Sequence, residues 1–334
     1  MARSFKKTGV SPGTAGAIAA ATATVLTALW VQYRARKTER EYPPAGRFVE
    51  VDGVRLHYIE KGQGAPVVLL HGNTVYSQDF IGSGLFDRLA EHHRVIAFDR
   101  PGFGYSERPR NRVWTAQAQA VLLQKALAKI DVEQPVVVGH SWGTLVALGM
   151  AVDAPTFARG LVLISGYYYP TARLDVALTA PAAVPLLGDV LRYTVSPLTG
   201  RLLLKRTVKA MFAPAPMSED FFDVMPREMM LRPVQIRADA EDAAFMIPAA
   251  AHFRHYYSDL AMPVSIFAGA GDLVVDVEAH SARLHHEIPH STLTVSPGAG
   301  HMVHYALTDE IVDAIDLMSD HATMGHLDPV AEIS

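Results

Sequence analysis

Between residues 47 and 60 the chain alternates apolar and polar positions, and Asp52-Gly53 interrupts the alternation (RFVEVDGVRLHYIE). A period of two fits strands with one buried face, and an Asp-Gly pair between two such stretches predicts a β-hairpin. Short unbroken apolar runs follow at 65–72 (APVVLLHG), 93–99 (HRVIAFD), 134–141 (QPVVVGHS), 160–165 (GLVLIS), 264–272 (VSIFAGAGD) and 291–301 (STLTVSPGAGH). Such runs belong to strands covered on both faces. Helix-length stretches at 80–91, 115–129 and 143–153 lie between them. Strands alternating with helices make βαβ units, so the pattern predicts an α/β domain around a mostly parallel sheet.

The rhythm breaks between about Tyr167 and Ser258. This part is rich in Pro, Met and aromatic residues, with helical patches such as GRLLLKRTVKAMF and no buried strand run. It reads as a helical insertion over one edge of the sheet. The expected organisation is a membrane anchor and linker at 1–42, a core at 43–170 and 259–321, a helical cap at 171–258, and an irregular tail at 322–334.

The N-terminus has a pattern of its own. Residues 8–33 carry no charge, basic residues flank the run on both sides, and Trp30 and Tyr33 stand near its end. A helix needs about 20 mostly apolar residues to cross a bilayer, and Trp and Tyr favour the membrane interface. A single-pass anchor through the lipid bilayer is expected, its helix running from about Gly16 to Tyr33. A cleaved signal peptide, with Ala19–Ala21 as the cut site, and a surface-lying helix are the alternatives. Flanking charge does not decide which membrane face carries the rest of the chain. The stretch KTEREYPPAG reads as a linker.

Composition narrows the chemistry. Of 334 residues, 49% are hydrophobic and 19% charged, the formal charge is −4, and there is no cysteine. The first pair of values is globular. The charge, without any basic patch interleaved with aromatics, argues against nucleic acid. The lack of cysteine removes thiolate catalysis and zinc-thiolate sites. No cofactor and no metal is expected.

The candidate chemistry sits at strand ends. Gly139-His140-Ser141-Trp142-Gly143 fits G-x-S-x-G directly after a buried run and before a helical stretch. A sharp strand-to-helix turn lifts the serine hydroxyl to a helix N-terminus, and small flanking residues let the two elements approach. Serine needs a base to become a nucleophile. His301 in PGAGHMVHY is the candidate, with glycines that let the loop swing over the sheet; His304 is the nearby competitor, read as a packing or solvent-facing residue. Asp272, ending FAGAGD, is the acid expected to orient that base, while Asp276 is read as a helix cap. The oxyanion hole is assigned to the backbone N–H groups of Trp142 and Asn73. His71 is read as structural, and DRPGFGYSERP as scaffold.

With these motifs in place, the stretch from about Gly46 to Met318 resembles the α/β-hydrolase superfamily. The resemblance rests on LLHGN (69–73), DRPGFGYSERP (99–109), GHSWG (139–143), GAGD (269–272) and GAGH (298–301), in this order. Within it, the chain is similar to the branch of haloalkane dehalogenases, epoxide hydrolases and cofactor-free esterases and haloperoxidases. That implies an eight-stranded α/β-hydrolase fold with a helical cap. Dehalogenases and epoxide hydrolases use an aspartate where this chain has Ser141, which speaks against both activities. The side chains of Asn73 and Trp142 are then expected to line the pocket. Cap residues such as Phe212, Phe221, Met225 and Met230 are candidate acyl contacts or plain core, and Tyr167, at the cap hinge, is a candidate substrate contact.

The expected activity is hydrolysis of a carboxylic ester, with a small apolar acyl substrate and, through residues 8–33, the lipid bilayer as the expected partners. Alternatives on the same fold are an aminopeptidase of the proline iminopeptidase kind, suggested by Glu219, Asp220, Asp223 and Glu228 in the cap, a thioesterase, or a cofactor-free haloperoxidase or perhydrolase. A non-catalytic, membrane-tethered binding protein is the reading from another class.

Overall fold

The computed structural model describes residues 11–172 and 180–324, with side chains described to residue 320. Eight strands form one sheet in the order β1-β2-β4-β3-β5-β6-β7-β8. They are β1 (Arg47–Val51), β2 (Val54–Lys61), β3 (Pro66–Leu70), β4 (Arg94–Phe98), β5 (Val136–His140), β6 (Gly160–Ile164), β7 (Val264–Gly269) and β8 (Thr292–Ser296). The hairpin β1–β2 is antiparallel and turns at Asp52-Gly53; β2 pairs antiparallel with β4, and β3 to β8 run parallel.

The apolar runs are explained by two cores, one on each face. Val68, Leu70, Ile96, Phe98, Val137 and Leu161 point to one side, where α2 (Ala116–Lys129) and α3 (Gly143–Asp153) cover them. Their chain neighbours Val67, Leu69, Val95, Ala97, Val136 and Val162 point to the other, against Ile311 and Ile315. Each fully buried aliphatic side chain contributes about 1.5–3 kcal/mol. Both sets of alternating positions are therefore apolar, and no polar face remains to give a period of two.

Every described element between β6 and β7 is helical. The main ones are α4 (Leu187–Tyr193), α5 (Val195–Phe212) and α6 (Pro233–Phe253). Phe212, Phe221, Met225, Met229 and Met230 pack with Val75, Tyr76 and Phe103 into a third apolar cluster that joins the cap to the sheet. The aromatic and Met-rich stripe is thus largely core.

Two expectations on the ends change. The helix α1 runs from Pro12 to Glu41, capped by Ser11, so the first half of the expected linker is helical. Its last turns are held on the cap by Arg34–Glu228 at 3.1 Å and Glu39–Arg232 at 2.8 Å. Tertiary packing has prolonged the helix until Pro43-Pro44, which cannot continue it. This helix is long and apolar enough to cross a membrane, a property that a signal sequence shares. At the other end, α7 (Thr308–Met324) continues past the expected boundary at 321. The rest of the expected tail, 325–334, lies outside the described residues.

Candidate active site

The turn from β5 into α3 places Ser141 at φ 51°, in the left-handed region. That conformation is strained for a residue with a side chain, and the strand–helix contact leaves no room beside it. A Cβ on Gly143 would lie 2.1 Å from the Leu70 carbonyl oxygen, and one on Gly139 would lie 2.7 Å from that of Gly143. The two glycines allow β5, β3 and α3 to close around the serine.

Three sequence-predicted residues meet there. His301 Nε2 is 2.8 Å from Ser141 Oγ, and His301 Nδ1 is 2.8 Å from Asp272 Oδ2. Asp272 follows β7, and His301 follows β8, so parallel neighbouring strands deliver both to one end of the sheet. Asp272 Oδ1 also accepts the N–H groups of Val274 and Val275, at 2.7 and 2.9 Å. Burial pushes the Asp272 carboxyl up, but pairing with His301 and these N–H groups outweighs it and leaves the pKa below the ordinary value. An ionised carboxylate on Nδ1 holds that nitrogen protonated and leaves Nε2 free to accept the hydroxyl proton. Asp276 caps the next turn by accepting the Ala279 N–H at 2.7 Å, as expected of it.

Asn73 and Trp142 flank the serine through the loop after β3 and the start of α3. Among the described residues, no acceptor takes either backbone N–H. Their side chains are placed differently from expectation. The Trp142 indole is fully buried, donates to the Asp242 carbonyl oxygen at 2.9 Å and stacks under Arg100 at 4.6 Å. It is packing rather than pocket lining, because its N–H finds its partner in the cap. The Asn73 amide donates to the Asp239 carbonyl oxygen at 3.3 Å and accepts from Arg100 at 2.8 Å. Tyr167 is also buried. Its hydroxyl donates to the Thr171 carbonyl oxygen at 2.6 Å and accepts the Thr171 N–H at 2.7 Å, which places it in the hinge rather than against a substrate.

Arg100 belongs to the segment DRPGFGYSERP expected to be scaffold, and its side chain organises the site. Its guanidinium donates to the carbonyl oxygens of His71 and Gly72 and to Asn73 Oδ1, while its other edge meets Asp242. The loop that carries Asn73 is thereby fixed from below. His71 accepts the Arg100 N–H on Nε2 and donates from Nδ1 to the Gly72 carbonyl oxygen. Burial and the Arg100 charge push its pKa down to about 3, so it stays neutral. This agrees with a structural role.

A second group lies behind His301. His140 Nε2 donates to the His301 carbonyl oxygen at 3.1 Å, and His304 Nε2 donates to Asp79 Oδ2 at 3.0 Å. Tyr305 donates to the other Asp79 oxygen at 3.0 Å. Asp79, His140 and His304 each offer a ligand atom, all within 4.8 Å of one another, a donor set that suits a divalent transition metal. All three are buried; His304 is hydrogen-bonded to Asp79, while His140 Nδ1 stands 3.7 Å from Asp79 Oδ2. Burial and the neighbouring His304 and His301 hold His140 neutral, far below its ordinary pKa. The direct effect of this group is to pin the loop that carries the His301 imidazole. His304 is accordingly a buried network residue, not a solvent-facing one.

A model of the alpha/beta hydrolase fold family matches residues 65–306. Among curated proteins, the chain is 36% identical over 145 residues to a 2-hydroxymuconate semialdehyde hydrolase of Pseudomonas putida, covering 41% of the chain and 50% of that protein. It is 29% identical over 133 residues to haloalkane dehalogenase 2 of Mycobacterium tuberculosis, covering 40% of the chain and 46% of that protein. The matched part thus spans half or less of each relative. An esterase from Thermogutta terrifontis superposes with a TM-score of 0.65 at 22% identity, over 83% of this chain and 99% of that one. At that identity the likeness is one of fold.

Proposed function

This chain belongs to the alpha/beta hydrolase family, and we propose that it is a serine hydrolase that cleaves a carboxylic ester through an acyl-enzyme. The observation that carries the reading is His301, set at 2.8 Å from both Ser141 Oγ and Asp272 Oδ2.

In this mechanism Ser141 Oγ attacks the acyl carbon while His301 Nε2 takes its proton. Asp272 steadies the imidazolium that forms. The N–H groups of Asn73 and Trp142 receive the oxyanion, each worth about 3 kcal/mol of transition-state stabilisation. The C–O bond then breaks, and His301 returns the proton to the departing alcohol. Water attacks the acyl-enzyme with His301 again as base, the acid leaves, and the serine hydroxyl is restored. A halide substrate does not suit this chemistry. Displacement by a serine oxygen would leave an alkyl ether, which offers no acyl carbon for water to attack.

The test is labelling with a fluorophosphonate. The expected result is a single adduct on Ser141, absent in Ser141→Ala of unchanged circular dichroism. Folded wild-type protein that takes no label would overturn the proposal.

We also propose that α1 is a retained anchor. It runs as one unbroken helix from Pro12, before Ala19–Ala21, to later turns that are seated on the cap. Intact mass of the membrane-extracted protein should include residues 1–41.

A further inference from the structure

The anchor and the cap meet in a way that says where the cap stands. Residues 12–26 of α1 are exposed on every side, and from Thr27 onward one stripe of the helix turns against the cap, with Val31 and Thr38 buried. The free part is about 15 residues, or about 22 Å of helix. A bilayer's hydrocarbon core is about 30 Å thick. The uncharged run reaches the required length only if the turns carrying Trp30 and Tyr33 are included. Those turns touch the cap: the Arg201 guanidinium lies 4.5 Å from the Trp30 ring centroid, and Glu228 takes both Arg34 and Arg201. A membrane deep enough to hold the helix therefore also reaches the cap surface beside it.

That surface is apolar. Leu186, Leu187 and Val190 at α4 and Val195, Leu198 and Leu202 on α5 are all exposed, Leu202 at 82% and Leu186 at 81%. Exposed large side chains gathered like this mark an interaction surface. The outward stripe of α5 is apolar at 195, 198 and 202 and then turns basic at Lys205, Arg206 and Lys209. An apolar face beside exposed cations suits the interface of a leaflet holding anionic lipid.

Behind the patch lies a cavity of about 550 Å³ between α4, α5 and α6. Val195 and Leu203 stand at its outer side, and Leu204, Met230 and Leu231 line it. Thr74 and Asp239 also line it, and Thr74 follows Asn73 in the chain and donates its N–H to Asp239 Oδ1 at 2.6 Å.

We propose that the α4–α5 face of the cap is immersed in the membrane leaflet, and that this cavity takes a lipophilic ester directly from the bilayer toward the loop carrying Asn73. The substrate class rests on the serine hydrolase reading; the immersion does not.

The chain has no cysteine, so single replacements can be labelled uniquely. The full chain carrying Leu198→Cys, Leu202→Cys or Glu133→Cys is spin-labelled and reconstituted in phosphatidylcholine–phosphatidylglycerol vesicles. Glu133 is exposed just before β5, at the end of the sheet opposite Ser141. Labels at 198 and 202 should be relaxed by oxygen more than by a water-soluble nickel chelate, and the label at 133 the reverse. Labels at 198 and 202 that behave like the one at 133 would overturn the proposal. So would labels shielded from both relaxants and broadened by a neighbouring spin, which would make a second copy of the chain the occupant. For the route, Leu202→Glu should lower hydrolysis of a vesicle-dissolved long-chain p-nitrophenyl ester at least tenfold and leave p-nitrophenyl acetate within twofold. Equal rates on the long-chain ester would refute entry from the bilayer. If the wild type cleaves neither ester, the catalytic reading fails while the depth measurement still decides the immersion.

Discussion

Arg100 and Asp242 stand 142 positions apart, yet their side chains meet at 2.6 Å with neither exposed to solvent. Asp242 also accepts from Arg108 at 2.9 Å and from Gln119 at 3.0 Å, and its carbonyl oxygen takes the Trp142 indole. One cap residue thus joins α6 to the end of β4 and to α2 through its carboxylate, and to the residue after the candidate nucleophile through its carbonyl. Asp242→Leu leaves the buried Arg100 guanidinium without its counter-charge, and Arg100→Met leaves Asp242 with Arg108 alone. Arg100→Met and Asp242→Leu should each destabilise the protein by about 3–5 kcal/mol, and the double variant by less than the sum. Urea unfolding of the four proteins measures this; additive losses would refute the coupling.

Asp272→Asn tests the orienting carboxylate without changing its shape. With an amide beside Nδ1, the imidazole loses the charge that selects its tautomer. We expect kcat on a p-nitrophenyl ester to fall about 10⁴-fold with KM little changed, and circular dichroism to stay the same. A fall of less than tenfold would remove Asp272 from the mechanism.

Asp239 predicts a pH dependence of stability. Burial pushes its carboxyl up to about 7, against the Thr74 N–H, which favours ionisation. The folded state then retains a proton that the unfolded state releases near pH 4. Stability should fall as pH rises from about 4 to about 7 and level off above that. Asp239→Asn keeps an oxygen for Thr74 and cannot ionise. Its Tm should exceed that of the wild type at pH 8, and the gap should shrink toward pH 5. A gap independent of pH would contradict this account.

Two glycines should respond very differently to alanine. The Gly143 Cβ would strike backbone, so Gly143→Ala should abolish turnover or soluble expression. Gly53, at φ 72°, has open space around it, and Gly53→Ala should cost about 1 kcal/mol and leave activity intact. Thermal melts and ester assays on both variants make the comparison.

The sheet, its two layers and the approach of Ser141, Asp272 and His301 were legible from the sequence. Periodicity and turn chemistry are local, and parallel strands bring their C-terminal ends to one edge whatever the details of packing. The exchange of roles around them was not legible. Trp142 and Tyr167 stand in the expected places, but their side chains turn into the protein, a choice made by acceptors on Asp242 and Thr171. Arg100 and His140 lie inside the sequence motifs and Asp242 in none, but the role of each was hidden because it acts through a partner far away in the chain.

The N-terminus shows the same division. By itself, the sequence determined that residues 8–33 are uncharged and long enough to cross a membrane. Only the tertiary structure decided that the helix runs on to Glu41 and rests on the cap beside an exposed apolar face. Hydrophobicity along a chain records what must leave water. Which surfaces meet is set by shape and charge pairing between segments that the chain order keeps apart.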